Sequence, residues 1–75
     1  MDIVKAYAEA AQGMIEAWNK AQAYFDANLD ENGALKEWAT EAYQSLLGRV
    51  EQFDKQIGRL DRAMQFEERL RAAVR

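Results

Sequence analysis

Apolar residues recur along most of the chain at alternating steps of four and three residues, with one interruption near the middle. This spacing places them in one stripe along an α-helix and is typical of the contact seam of a coiled coil. The chain has no proline and is rich in strong helix formers. We therefore expect an all-α protein. The first stripe is Val4, Tyr7, Ala11, Met14, Trp18, Ala21 and Phe25, and the second is Ala39, Tyr43, Leu46, Val50, Phe53, Ile57, Leu60 and Met64.

The interruption is a cluster of residues that favour turns and helix ends. It predicts a first helix over about residues 3–27, a turn over about 28–33 and a second helix over about 34–73. Helices joined by a short connection pack as antiparallel neighbours, so residues 1–75 should form a single helical-hairpin domain of coiled-coil type. The turn-forming residues are Asn28, Asp30, Asn32 and Gly33.

The predicted helices differ in length. At 1.5 Å per residue the second would be about 60 Å long and the first less than about 40 Å. Counted outward from the turn, Phe25 should meet Trp38 and Val4 should lie near Ile57. In this register Gly48 could make room for a bulky side chain of the first helix. The C-terminal end of the second helix should then project without a partner inside the chain.

This projecting end is the candidate oligomer interface. Its apolar side chains would be covered by other copies in a helical bundle or by another domain, and its arginines would flank the contact and select the partner and register. The predicted interface consists of Ile57, Leu60, Met64, Phe66, Leu70 and Val74, together with Arg59 and Arg62.

The sequence contains neither histidine nor cysteine, so the common nucleophile–base pairs and the imidazole or thiolate metal ligands cannot form. We predict no catalytic residue, no cofactor site and no metal site. Acidic and amide side chains before Gly33 have a partial likeness to a calcium-binding loop, but a loop opening at Asn28 would have Ala39 at its twelfth position in place of glutamate. Helix termination and capping explain the polar cluster better.

The formal net charge is -3, and the C-terminal arginines alternate with Asp61, Glu67 and Glu68. These features disfavour a nucleic-acid or acidic-membrane surface. The first residues do not resemble a secretion signal, and no apolar run reaches the roughly 18 residues of a membrane span. We expect a soluble protein with no nucleic-acid, membrane or small-molecule partner, and these features leave its compartment open. The C-terminal arginines are Arg59, Arg62, Arg69, Arg71 and Arg75.

The stretch from Leu29 to Ala72 resembles the N-terminal scaffolding, or delta, domain of Hong Kong 97 type major capsid proteins of tailed phages. The likeness is carried by a short polar turn before a long helix and by the run VEQFDKQIGRLDR, residues 50–62. Its aliphatic, acidic and arginine positions match Val50, Glu51, Phe53, Asp54, Ile57, Arg59, Leu60 and Arg62.

The resemblance implies a self-assembling scaffold in the cytoplasm of a bacterial host, located inside the procapsid. In that family the domain precedes the capsid shell domain, clusters beneath the capsomers during prohead assembly and is later removed by a phage protease. The chain ends at Arg75 without a shell domain, so it would be an excised domain or a separately encoded scaffold. The main alternative is a homodimeric helical adaptor or regulator whose tail packs against its twofold mate. A secretion-needle subunit ranks below these, because its turn commonly carries prolines, and an enzyme ranks last.

Overall fold

The computed structural model describes residues 2–74, which form an all-α helical hairpin. Helix α1 spans Ile3–Ala27, and helix α2 spans Thr40–Val74. A single turn of 3₁₀ helix, Glu37–Ala39, directly precedes α2. The prediction of an all-α helical hairpin is confirmed, and α1 has the predicted bounds, whereas α2 begins later than residue 34.

The ends of α1 are defined by polar side chains. The Asp2 carboxylate accepts a hydrogen bond from the Lys5 backbone N–H at 3.1 Å and satisfies one of the free donors of the first turn. At the other end, the Asn28 side-chain amide donates to the Tyr24 carbonyl at 2.8 Å, and the Asn28 backbone N–H donates to the Phe25 carbonyl. Asn28 therefore closes the last turn of the helix.

The connection between the helices is longer than predicted because it contains its own hydrogen-bonded turn. Leu29 and Leu35 form an isolated antiparallel bridge, with the Lys36 N–H donating to the Asn28 carbonyl at 2.9 Å. Gly33 has φ +80°, a left-handed conformation that residues with a Cβ rarely adopt. The prediction that the helix begins at about residue 34 is wrong, since Ala34 to Lys36 belong to this paired, extended segment.

The seam of α2 is the predicted one. All eight predicted positions, from Ala39 to Met64, are buried or half-buried. The seam of α1 agrees with the prediction at five of seven positions: Tyr7, Ala11, Met14, Ala21 and Phe25 are buried or half-buried. Val4 and Trp18 are exposed instead, and the neighbouring Ala10 and Ala17 are buried. The buried positions of α1 are thus alanines, which allow the helix axes to approach closely.

Gly13 is a point of close contact between the two helices. A Cβ placed there would lie 2.6 Å from Cζ of Phe53, so the aromatic ring lies directly against the α1 backbone. The expectation that Gly48 serves this purpose is wrong, because nothing lies within 4 Å of a Cβ built at Gly48. The close-packed glycine is in the first helix and not in the second.

The register also differs from the prediction by about one helical turn. Phe25 packs against Tyr43, with ring centroids 5.2 Å apart, and not against Trp38, which is 70% exposed. The Gly13–Phe53 contact gives a similar register, which places Ile3 opposite the α2 segment that ends at Met64. Residues 65–74 extend beyond α1, and we call this segment the tail. At 1.5 Å per residue it is about 15 Å long.

The hairpin is a thin rod measuring 62 × 16 × 16 Å, with a radius of gyration of 17.7 Å. A compact domain of the same length would have a radius of gyration of about 11 Å. Among residues 2–74 the only fully buried side chains are those of four alanines. Every large apolar residue in this part of the chain therefore keeps some solvent contact.

Candidate interaction surface

Seven large apolar side chains are well exposed, and six of them fall into two groups. The first group, Phe66, Leu70 and Val74, is on the tail, and the second, Val4, Ile15 and Trp18, is on α1. Their exposed fractions run from 46% for Trp18 to 86% for Val74. The seventh is Trp38 near the turn, where the Lys36 ammonium lies 6.0 Å from its ring centroid.

Phe66 and Leu70 of the tail do not continue the seam of α2. The four-three rhythm that ends at Met64 continues at Glu67, Arg71 and Val74, and Glu67 and Arg71 form an ion pair at 2.7 Å. Phe66 and Leu70 precede Glu67 and Arg71 by one residue and therefore lie about 100° around the helix. The tail thus presents Phe66 and Leu70 to a different side of α2 from the one that contacts α1.

The predicted oligomer interface divides into two parts. Ile57, Leu60 and Met64 are half-buried in the hairpin seam, so the expectation that Leu60 and Met64 lack cover is wrong. The register error explains this, because α1 reaches one turn further along α2 than predicted. By contrast, Phe66, Leu70 and Val74 are exposed.

The arginines of the predicted interface are on the surface. Both Arg59 and Arg62 are exposed, and the Arg62 guanidinium lies 5.7 Å from the ring centroid of Phe66. Arg69 is exposed nearby, whereas Arg75 lies outside the described residues. We define the tail surface as Phe66, Leu70 and Val74 together with Arg59, Arg62 and Arg69.

The exposed group on α1 was missed by sequence reasoning, although the sequence contains a signal for it. Val4, Ala11 and Trp18 were placed on the predicted seam, but with Ala8 and Ile15 they form their own stripe of apolar residues at steps of four and three. A helix with two adjacent apolar stripes can pack against two neighbours, and α2 covers only one of them. The residue spacing alone does not say which stripe faces α2.

Acidic residues of α2 lie beside this second stripe. Val4, Ile15 and Trp18 each follow a residue of the α1 seam, just as Glu51, Asp54 and Asp61 each follow a residue of the α2 seam. In an antiparallel helix pair, positions displaced in the same sense from the two seams point to the same side of the pair. We define the helix-one surface as Val4, Ile15 and Trp18 together with Glu51, Asp54 and Asp61.

Phe66, Leu70 and Arg59 of the tail surface lie on the broad face of the hairpin opposite to the helix-one surface. Phe66, Leu70 and Arg59 each precede a position of the α2 seam, whereas the members of the helix-one surface each follow a seam position. Displacement in the opposite sense points a side chain to the opposite side of the antiparallel pair. These three side chains and the helix-one surface therefore face away from each other across a rod only 16 Å thick.

The charged residues of both surfaces make no ion pairs within the hairpin. Across residues 2–74, Glu67–Arg71 is the one salt bridge. The charges of the two surfaces are therefore free to interact with another molecule.

The polar side chains of the turn form hydrogen bonds with backbone groups of the turn itself. One Asp30 carboxylate oxygen accepts the backbone N–H groups of Asn32 at 2.8 Å and Ala34 at 3.0 Å. Over the described part of the chain, no group of three or more carboxylates is placed to hold a metal ion. A shallow groove between the helices is lined by Gly13, Ala17, Leu46 and Phe53 and by the edges of charged side chains. The charged residues at its edge are Glu16, Lys20 and Arg49.

Comparisons with protein-family models, with curated proteins and with solved structures find no match to this chain. Within residues 2–74, neither helix combines the length and the apolar character needed to cross a lipid bilayer. The function proposed below is therefore argued from the surface of the hairpin.

Proposed function

We propose that this chain is a non-enzymatic protein–protein association module that assembles with copies of itself. The observation that carries this proposal is the exposure of Phe66, Leu70 and Val74 on a tail that α1 does not reach. Large apolar side chains grouped on a projecting helix are typical of an interaction surface.

The exposed area supports the same proposal. The hairpin exposes 6164 Å², whereas a compact monomer of this size exposes about 4,700 Å². The excess is about 1,500 Å², and a specific complex buries about 800 Å² on each partner. The hairpin therefore has enough surplus surface for a stable interface, and more than one contact per copy is possible.

Assembly of this kind corresponds to the role implied by the resemblance to phage delta domains. On that proposal the hairpins cluster during prohead assembly, in the cytoplasm of a bacterial host and inside the procapsid, and a capsid shell domain is the other expected partner. The second candidate is a homodimeric adaptor or regulatory module that buries its tail against a twofold mate. The exposed tail favours both, because each supplies the missing cover.

Sedimentation velocity over a wide range of protein concentrations tests the proposal. We expect a hairpin monomer at low concentration and larger species as the concentration rises. The variant F66Q/L70Q should remain monomeric at concentrations where the wild type assembles, with unchanged helicity by circular dichroism because both side chains are exposed.

Trp38 provides a matched control, since it is also large and exposed but lies at the turn end of the rod. The variant W38Q should assemble as the wild type does. A wild-type chain that stays monomeric and fully helical at every concentration would contradict the proposed function.

A further inference from the structure

We infer that the hairpins assemble head to tail, with the tail surface of one copy docking on the helix-one surface of the next. This inference rests on the proposed function, namely self-association, and names the partner surface that covers the tail. It assigns a role to Val4, Ile15 and Trp18, which the hairpin itself leaves exposed.

The apolar parts of the two surfaces match in kind, and the helix-one surface is long enough for the tail. Phe66 to Val74 spans nine residues, or about 12 Å of helix, and Val4 to Trp18 spans about 21 Å. A tail lying along this part of α1 would cover Ile15 and Trp18 with Phe66 and Leu70. Both sides of the contact then lose exposed apolar area at the same time.

The charged parts of the two surfaces are complementary. The tail surface carries Arg59, Arg62 and Arg69, and no ion pair inside residues 2–74 involves any of the three. The helix-one surface has Glu51, Asp54 and Asp61 at its edge, which are likewise free of ion pairs in the described chain. The observed register places Ile15 and Trp18 beside the α2 segment that contains Glu51 and Asp54. Arginines flanking the docked tail would therefore meet carboxylates.

The opposite placement of the surfaces excludes a closed twofold dimer built from this contact. In a twofold interface, each copy presents the same patch, so the tail surface and the helix-one surface would have to lie on one face. Phe66 and Leu70 lie on the face of the rod opposite to the helix-one surface, so the docking of one copy leaves a free tail surface at one end of the pair and a free helix-one surface at the other. The assembly continues by addition of further copies, as a ring or an open filament.

Mixing two variants of the full chain tests this arrangement. F66Q/L70Q lacks an apolar tail surface but keeps the helix-one surface. I15Q/W18Q lacks an apolar helix-one surface but keeps the tail surface. Each variant alone should be monomeric in sedimentation velocity, whereas an equimolar mixture should form a 1:1 heterodimer and nothing larger. The wild type should grow past the dimer, and W38Q should behave as the wild type does.

Charge reversal provides a second test that leaves every apolar contact in place. R62E/R69E and E51R/D54R should each weaken assembly by about tenfold or more, because like charges then face each other across the contact. The quadruple variant R62E/R69E/E51R/D54R should recover assembly. All four positions are exposed, so helicity should remain unchanged in each variant.

The outcomes separate this inference from the proposed function. A wild type that stops at the dimer, or an I15Q/W18Q variant that assembles as the wild type does, overturns the head-to-tail arrangement and leaves self-association standing. Failure of the quadruple charge variant to recover assembly, with helicity intact, also overturns it. A wild type that never associates overturns both.

Discussion

At the scale of single residues, the two helices contribute differently to their contact. Helix α1 contributes Gly13 and the buried alanines Ala10, Ala17 and Ala21, whereas α2 contributes larger side chains such as Phe53. The absence of a side chain at Gly13 allows the Phe53 ring to lie against the backbone, while Gly48 occupies open space. Both glycines lie inside helices, but only Gly13 makes room for a side chain of the other helix.

Substitution of each glycine by alanine should therefore have opposite effects on stability. G48A should raise the free energy of unfolding by about 0.5–1 kcal/mol, because alanine restricts the unfolded chain and favours helix. G13A gains the same propensity but must displace the Phe53 ring, and overpacking of this kind costs about 1–3 kcal/mol. We expect G13A to be less stable than the wild type in urea unfolding followed by circular dichroism. Equal stabilisation by both substitutions would contradict the Gly13–Phe53 contact.

At the scale of elements, α2 is one continuous helix with two differently placed sets of apolar side chains. The set up to Met64 packs against α1, whereas Phe66 and Leu70 of the tail point to another side. The change of side occurs where the seam positions become Glu67 and Arg71, which pair with each other. Charged residues at these two seam positions therefore end the apolar contact with α1.

Two leucines of α2 allow the division to be tested with the same substitution. L60Q should lower the free energy of unfolding by about 1 kcal/mol, because Leu60 is half-buried in the seam. L70Q should change the stability of the monomer by less than about 0.5 kcal/mol, since Leu70 is exposed, but it should weaken assembly. Urea unfolding at low protein concentration and sedimentation at high concentration measure the two effects. Equal loss of hairpin stability in both variants would show that the tail is packed inside the monomer.

At the scale of the whole molecule, the hairpin has little interior. Only alanines are fully buried between residues 2 and 74, and the rod exposes more area than a compact chain of its size. Chains this short commonly depend on association for part of their stability. Folding and assembly should therefore be coupled.

This coupling predicts that thermal stability depends on protein concentration. A 100-fold increase in concentration should raise the Tm of the wild type by about 5–10 °C, because association removes folded monomer from the unfolding equilibrium. The Tm of F66Q/L70Q should change far less over the same range. Differential scanning calorimetry at matched concentrations measures both, and a wild-type Tm that does not move would show that the hairpin is stable by itself.

Much of the fold was predictable because local physics determines it. The helix-forming composition and the polar cluster after Ala27 predicted the bounds of α1, and the four-three rhythm of α2 predicted every position of its seam. The start of α2 was not predictable in this way. The bridge between Leu29 and Leu35 and the contacts of Asp30 depend on two chain segments meeting, and helix propensity does not describe such a meeting.

The candidate interaction surface was also predictable only in part. The sequence alone predicted that the second helix is longer than the first and that Phe66, Leu70 and Val74 are not covered by the first helix. It could do so because helix length follows directly from the number of residues. The sequence could not show which of the two apolar stripes of α1 faces α2, since both have the spacing of a seam. The packing in the folded hairpin shows it. The stripe with the smaller residues allows the closer approach and half-buries the larger side chains of α2, and this packing leaves Val4, Ile15 and Trp18 exposed.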